Sequence, residues 1–390
     1  MVTRTTVGGF AGLVAAALFA AGCSEPTAPA HVSPAHGNPG AVSFATAGGL
    51  ASATSTGIVL NQVNGSLGLS GTILIKGFNP TNPHHGDAIV ATFFWFGSTN
   101  VIDSVTDVLT TPDFAPVGNK YTLVDYVTTG GISMATYVAT NVQNFPDPND
   151  PSTGVVLAVR ANLSQPVMDG GILISSYSGV SAVSAVALGG HQSGFGSGTS
   201  TTVADAGTIP VGAGALIYGV TMSDGLFGRF APQGFTNIST QSDASMVSEG
   251  DYAVQGSAGT VDPQWTWFFN SPSSWLATAF TLNPPLHLGF TVQPSTTLPM
   301  FPIQPVQVTV LDAFGNRNTT YTGQVTIAIG QNGGLLMPGT LSGTKTVTVV
   351  NGVATFSDLS IDQPGSGYTL VVSGPTLTGA ESARFNIGAL

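Results

Sequence analysis

Two histidine segments carry the side chains best suited to chemistry in this sequence. His84 and His85 precede Asp87, and His191 stands two residues before Ser193. Imidazoles near a carboxylate can bind a metal ion, and a histidine near a serine can activate it as a nucleophile. Neither set is complete, because a metal site needs more ligands and His191 has no identifiable carboxylate partner in its glycine-rich surroundings. We therefore interpret His84 and His85 as solvated turn residues and assign no catalysis to His191.

Other catalytic signatures are absent from the sequence. It contains no Gly-x-Ser-x-Gly, P-loop, EF-hand or His-Glu-x-x-His pattern. The single cysteine, Cys23, lies at the end of the N-terminal apolar segment, which leaves no thiol for catalysis elsewhere. The sequence therefore predicts a protein that is not an enzyme and needs no cofactor. A glycan-active hydrolase stays open as a less favoured alternative, because glycoside hydrolysis needs only two carboxylates at the right separation.

The acidic residues include weak candidates for a calcium site. The densest acidic cluster is Asp147, Asn149 and Asp150, in a proline-rich stretch that could form a weak calcium loop. Asp312 and Asn316 flank a second turn, where capping of the turn is the favoured interpretation.

Three alternating aromatic residues, Trp265, Trp267 and Phe269, are expected to share one face of a strand. If that face is exposed, Trp265 and Trp267 could stack on sugar rings as a ligand-binding platform. If it is buried, they are ordinary core residues, and we favour this second interpretation because large aromatic side chains dominate sandwich interiors.

The composition favours strands and disfavours a polyanionic partner. Charged residues make up only 7% of the 390, while there are 51 glycines and 25 prolines. Helices with a solvated face need more Lys, Glu and Arg than this, so an all-β fold is expected. With 8 Lys and Arg against 19 Asp and Glu, the chain has no basic stripe for nucleic acid.

The N-terminal residues resemble a bacterial lipoprotein signal. Residues 1–22 contain Arg4, an apolar stretch and a run of small residues that ends at Cys23. The resemblance implies export, cleavage before Cys23 and lipidation of its thiol, followed by a proline-rich flexible tether over 23–42. The alternative is a plain secretory signal cut near Ala21, with Cys23 incidental.

Strand-like runs separated by turns fill residues 43–284. Ala88–Phe96 is almost entirely apolar and predicts a strand buried on both faces. Further strands are predicted over 71–76, 171–177, 215–222, 264–269 and 275–282, and Gly189–Thr202 is predicted to be a long loop. The order of these motifs resembles the jelly-roll sandwiches of bacterial and phage extracellular proteins. That resemblance implies a fold and an extracellular location, and no activity.

Residues 285–390 resemble the Ig-like repeats of bacterial adhesion proteins. The resemblance is carried by the runs that begin at Leu288 and Pro305, by Asn351-Gly352 and by Gly367-Tyr368. Asn351-Gly352 predicts a two-residue hairpin turn. Tyr368 is expected to form a tyrosine corner, with its phenol bonded to upstream backbone. The predicted fold is therefore all-β, a jelly-roll-like sandwich followed by an Ig-like sandwich.

These observations predict an exported, lipid-anchored cell-surface protein with a structural or adhesive role. Its expected partners are a membrane, through the lipid anchor, and a protein or glycan ligand. A carbohydrate-binding module is the main alternative, and it requires an exposed face at Trp265 and Trp267. The oligomeric state is left open.

Overall fold

The N-terminal part of the protein begins with one antiparallel sheet. A computed structural model describes residues 57–79, 81–146, 154–225, 229–269 and 271–388. The first six strands are β1 (Val59–Gly77), β2 (Ala88–Phe96), β3 (Ile102–Leu109), β4 (Thr122–Thr129), β5 (Ile132–Ala139) and β6 (Leu157–Ser178). They form the first sheet in the order β1-β6-β2-β5-β4, and β3 pairs with the first half of the long β6.

A second sheet packs against the first. After a one-turn helix, α1 (Ser184–Ala187), the chain forms β7 (Leu188–Gly198), β8 (Thr201–Asp205), β9 (Ile209–Val211), β10 (Leu216–Ser223), β11 (Arg229–Phe230), β12 (Thr236–Ser242), β13 (Val247–Val254), β14 (Gly259–Val261), β15 (Gln264–Phe268) and β16 (Ser273–Leu282). The second sheet has the order β12-β13-β10-β16-β7. The strands β11, β15 and β8 form a small sheet of their own, and β14 pairs with β9. We call this assembly the N-terminal sandwich.

Strand β2 contributes side chains to two hydrophobic cores, one on each face of the first sheet. Val90 and Phe94 point into the core between the two sheets, while Phe93 and Trp95 point into a separate core on the other face of the first sheet. All four side chains are at most 1% exposed. This confirms the prediction that Ala88–Phe96 is a strand buried on both faces, since apolar residues at consecutive positions need a core on each side.

A polar contact joins the two sheets inside their shared core. Oγ1 of Thr92 lies 3.0 Å from Oγ1 of Thr136 and 3.2 Å from the phenol oxygen of Tyr218, which belongs to the second sheet. Burial raises the pKa of Tyr218 well above its usual value, so the phenol keeps its proton.

The prediction of a long loop over Gly189–Thr202 was wrong, because this stretch forms β7 and the start of β8. Glycines in β7 allow groups of the neighbouring strands to approach the β7 backbone more closely than a residue with a Cβ would. A Cβ on Gly196 would lie 2.7 Å from the indole ring of Trp275, its partner in β16, and a Cβ on Gly194 would overlap the carbonyl oxygen of Asp205 in β8. The glycines therefore reflect packing between strands rather than a flexible segment.

The C-terminal part forms a second sandwich, which we call the C-terminal sandwich. Its strands are β17 (Leu286–Val292), β18 (Val306–Leu311), β19 (Gln324–Ile329), β20 (Leu341–Ser342), β21 (Thr346–Thr348), β22 (Val353–Phe356), β23 (Ser360–Ile361), β24 (Gly365–Tyr368), β25 (Leu370–Gly374), β26 (Leu377–Glu381) and β27 (Phe385–Ile387). Seven of them pair in the order β21-β19-β25-β26-β17-β18-β22. In the described residues, no sheet mixes strands from before and after residues 283–285.

The Asn351-Gly352 turn is present as predicted. Both residues have positive φ, 50° and 77°, and Val350 and Val353 exchange two backbone hydrogen bonds across it. Beyond this bridge the two arms separate, because β21 pairs with β19 and β22 pairs with β18. Strands β21 and β22 are the two edge strands of the seven-stranded sheet, so the turn connects one edge of the sheet to the other.

Two further predictions about local contacts are confirmed in the C-terminal sandwich. The phenol of Tyr368 donates a 3.0 Å hydrogen bond to the carbonyl oxygen of Gln363, five residues upstream. Oδ1 of Asp312 accepts hydrogen bonds from the backbone N–H groups of Phe314 and Asn316, each at 2.9 Å, which is a turn cap.

Candidate functional site

Trp265 and Trp267 lie in the core of the N-terminal sandwich. Both are completely buried in β15, over the outer face of the second sheet. Gly219 makes room for them, since a Cβ there would lie 2.9 Å from the indole of Trp265. The indole nitrogen of Trp267 donates to Oγ1 of Thr221 at 3.3 Å. The exposed platform that a carbohydrate-binding module requires is therefore not formed by these residues, and their burial agrees with the core interpretation.

A pair of carboxylates, which sequence reasoning missed, lies beside the two tryptophans. Glu249 and Asp251 occupy the same face of β13 two positions apart, at 2% and 0% exposure. Asp251 accepts hydrogen bonds from Asn237 and Trp265, and Glu249 accepts one from Thr240. The sequence signal is the two acids at i and i+2 within a strand. Neither reaches solvent, so a glycan in solution has no access to the pair in this conformation.

The two adjacent histidines hold the loop before β2. Nε2 of His85 lies 2.7 Å from the carbonyl oxygen of Phe145, and Nδ1 of His84 lies 2.9 Å from Nδ2 of Asn61. Asp87 accepts hydrogen bonds from Asn61 and from the backbone N–H of His84. Burial of Asp87 outweighs these hydrogen bonds and raises its pKa. Both histidines therefore have structural contacts.

His191 has a carboxylate partner after all. Its Nδ1 lies 3.7 Å from Oδ2 of Asp125, in the neighbouring edge strand β4, and the imidazole is 55% exposed. Nothing in the sequence indicates this pairing, because 66 positions separate the two residues. Among the described residues, no hydrogen bond joins His191 to Ser193, so the contact between base and nucleophile that a hydrolase needs is missing here.

The remaining predicted site residues lie outside the described residues. These are the lipidation residue Cys23, the leader 1–22, the tether 23–42, and the weak calcium candidates Asp147, Asn149 and Asp150. In the part of the chain that is described, no three His, Cys, Asp or Glu residues come together as metal ligands. No helix there is long and apolar enough to cross a bilayer.

A cleft of about 500 Å³ lies where the two sandwiches meet. Gly190, Pro210 and Asn283 line one side, and Leu286 and Arg317 line the other. The Arg317 side chain is exposed and has no hydrogen bond or ion pair with any described residue. The volume is typical of small-ligand sites, yet none of the described residues that line the cleft is aromatic, so they offer no stacking surface for a sugar.

Two loops of the C-terminal sandwich, residues 297–301 and 331–339, contain large exposed apolar side chains. Neither loop contains a charged residue. Met300 is 76% exposed and Leu336 is 94% exposed. We call the six large exposed side chains of these loops the apolar tip: Leu298, Met300, Phe301, Leu335, Leu336 and Met337.

Backbone hydrogen bonds hold the two loops side by side. The N–H of Met300 donates to the carbonyl oxygen of Ile361 at 2.8 Å, and the N–H of Leu335 donates to that of Pro364 at 3.2 Å. Ile361 and Pro364 lie three positions apart, so the backbones of both loops are anchored to the same short segment. Contiguous exposed apolar patches on soluble domains mark interaction sites.

The apolar tip lies at the end of the C-terminal sandwich that faces away from the cleft. Strand β17 begins at Leu286, which lines the cleft, and its antiparallel partner β18 ends just before Asp312, which also lines it. The 297–301 loop follows the far end of β17. At about 3.3 Å per residue, the seven residues of this strand span about 20 Å.

Comparison with known proteins adds no relative. No family model matches this chain, and no curated protein matches it. Any function must therefore be inferred from the chemistry of the cleft, the buried carboxylates and the apolar tip.

Proposed function

We propose that this chain is an exported, lipid-anchored bacterial surface protein that binds a protein ligand through its apolar tip. The observation that carries the adhesive role is the exposed patch of six large apolar side chains on two adjacent loops. Such a patch lowers its free energy by burying its surface against a partner, at about 25 cal/mol per Å² of apolar area.

The proposed location at the cell surface is based on the N-terminal sequence. A short basic start, an apolar stretch and small residues before Cys23 are the features of a lipoprotein signal. Two acyl chains would be enough for stable anchoring, and the proline-rich residues up to 42 would act as a spacer. The all-β architecture, with 51 glycines and few charges, is compatible with an extracellular module.

A protein ligand fits the apolar tip better than a glycan. Sugar rings are bound by stacking on aromatic faces, and the tip contains one aromatic residue, Phe301, among five aliphatic or thioether side chains. Methionines adapt their shape and suit contact with an apolar protein surface. The hydrogen-bonded contact of Tyr368 supports the proposed kinship with Ig-like adhesion repeats, in which such modules space and present binding surfaces.

We propose binding rather than catalysis as the activity. Glu249 and Asp251, two positions apart in β13, are buried, and among the described residues no hydrogen bond joins His191 or Asp125 to a serine nucleophile. For Trp265, Trp267, Glu249 and Asp251 to bind or cleave a glycan, a rearrangement would have to expose them.

Attachment of cells that display the full chain tests the proposal. Wells are coated separately with purified full chain, serum proteins, a neutral glycan polymer or phosphatidylcholine. We expect attachment to a protein coat and a several-fold loss in the double variant Leu336→Ser/Met337→Ser. The matched control, Leu123→Ser/Val203→Ser, changes exposed apolar residues of the N-terminal sandwich and should attach normally. Attachment to the glycan coat alone, or attachment that the tip variant retains, would contradict the proposal.

A further inference from the structure

Two carboxylates from different sheets converge on one hydroxyl at the edge of the N-terminal sandwich. Asp169 belongs to β6, and Asp243 and Ser245 belong to the turn between β12 and β13. Oγ of Ser245 contacts Oδ2 of Asp169 and lies 3.1 Å from Oδ1 of Asp243. Two oxygens that both contact one atom are less than about 6 Å apart. Because a hydroxyl carries one proton, it can donate to only one of them at a time.

Three side-chain oxygens in this part of the sandwich, two of them on these same carboxylates, have no hydrogen-bond partner. They are Oδ1 of Asp169, Oδ2 of Asp243 and Oε1 of Gln241, and each exposes less than 1 Å² to solvent. Buried oxygens in folded proteins are nearly always paired, and a bound water or ion is one explanation for an unpaired one. Two of the three belong to the converging carboxylates and the third to an amide, and because ionised carboxylate and amide oxygens only accept hydrogen bonds, a cation would satisfy them.

Glycines of β1 lie against the side chains of this cluster. The register of β1 against β6 shifts repeatedly between Ser66 and Gly71. A Cβ on Gly65 would collide with the side-chain amide of Gln241, and a Cβ on Gly68, which has φ of +72°, would lie 3.9 Å from Oδ2 of Asp243. The strand therefore faces the cluster with glycines and does not cover the carboxylates with side chains.

We propose that Asp169, Gln241, Asp243 and Ser245 bind a hard divalent cation, with calcium as the best fit. All the donors are oxygens, which suit calcium and magnesium rather than zinc or copper. Calcium accepts irregular sets of six to eight oxygens, including carboxylate, amide and water ligands. Four protein side chains leave positions for water, so the expected affinity is that of extracellular modules, about 0.1–1 mM.

The bound cation would fasten the two sheets of the N-terminal sandwich at one edge. Asp169 comes from the first sheet, and the other three ligands come from the hairpin that ends the second. The four proposed ligands belong to the N-terminal sandwich, whereas the apolar tip belongs to the C-terminal sandwich. The inference does not depend on the proposed function, because it concerns oxygens within one sandwich.

Calcium titration of the purified full chain tests the site. Isothermal titration calorimetry is combined with thermal unfolding in 10 mM calcium, in 10 mM magnesium and in chelator. We expect calcium to bind and to raise the Tm by a few degrees relative to chelator. Asp169→Asn should weaken binding at least ten-fold and remove the shift in Tm. Asp113→Asn, which changes an exposed aspartate elsewhere, should behave like the wild type.

Gln241→Glu provides a gain-of-binding control. It replaces a neutral oxygen ligand by a charged one of the same length, so we expect tighter calcium binding. Asp243 also caps its turn through the N–H groups of Ser245 and Met246, which is why Asp169 is the residue chosen for removal. Absence of calcium binding by the wild type, or equal binding by Asp169→Asn, would overturn the proposal.

Discussion

The indole nitrogen of Trp265 donates a 2.8 Å hydrogen bond to Oδ2 of Asp251, and both side chains are completely buried. The bond joins the small β11-β15-β8 sheet to the second sheet of the N-terminal sandwich. A hydrogen bond contributes about 0.5–1.5 kcal/mol to stability, and removing one partner of a buried bond costs about 1–3 kcal/mol.

Replacing this indole should therefore destabilise the protein. We expect Trp265→Phe to lower the free energy of unfolding by about 2–4 kcal/mol, from the lost bond and the lost volume. Trp275→Phe is the matched control, because the indole nitrogen of Trp275 is buried without a partner. Urea denaturation should show a clearly smaller loss for the control. Equal losses would mean that the bond to Asp251 contributes nothing.

The glycines of β7 provide a second test. Gly194→Ala would place a methyl group against the carbonyl oxygen of Asp205, so β8 must move. We expect a loss of about 1–3 kcal/mol, as for other overpacked sites. Gly256→Ala is the comparison, since a Cβ there meets nothing within 4 Å. If Gly194→Ala denatures at the same urea concentration as the wild type, that result would contradict the close packing of β7 against β8.

Two aspartates should give stability changes of opposite sign with pH. Burial raises the pKa of Asp87, so its protonated form is favoured by folding, and its contribution to stability falls as pH rises from about 4 through the raised pKa. Hydrogen bonds from Thr344 lower the pKa of Asp358, so its contribution is present above pH 4 and is lost as pH falls.

These signs can be measured by comparison with asparagine variants. The difference in unfolding free energy between wild type and Asp87→Asn should decrease between pH 4 and pH 7. The corresponding difference for Asp358→Asn should fall below pH 4. If the two free-energy differences changed with pH in the same way, the opposite pKa shifts of Asp87 and Asp358 would be contradicted.

The structural role of the Tyr368 hydroxyl can be tested by removing that single oxygen atom. Tyr368→Phe removes the hydroxyl that donates to the carbonyl oxygen of Gln363, and we expect a loss of about 0.5–1.5 kcal/mol. Tyr321→Phe, whose hydroxyl donates to the carbonyl oxygen of Pro375 at the surface, should lose less. A Tyr368→Phe protein as stable as the wild type would argue against a structural corner.

Local pattern was enough to predict much of the fold. The apolar run Ala88–Phe96, the Asn351-Gly352 turn and the Tyr368 contact involve residues close together in sequence, where periodicity and turn chemistry act directly. Gly189–Thr202 was mistaken for a loop because the reason for its glycines, the Trp275 ring, lies about 80 residues further along the chain.

The candidate sites were harder to predict for the same physical reason. The convergence of Asp169 with Asp243, and of His191 with Asp125, depends on how two sheets pack, and spacing along the chain does not encode it. Leu335-Leu336-Met337 is an apolar triplet that could belong to a core as readily as to a surface, and only the structure shows it to be exposed.

Lipid labelling of Cys23 tests the central claim most directly. The full chain is expressed in a bacterial host supplied with an alkyne-tagged fatty acid, and labelling is followed by surface protease treatment of intact cells. We expect wild-type protein to be labelled, membrane-associated and digested from outside, and Cys23→Ala to be exported without label. An unlabelled wild type, or equal labelling of Cys23→Ala, would contradict the account of a lipid-anchored surface protein.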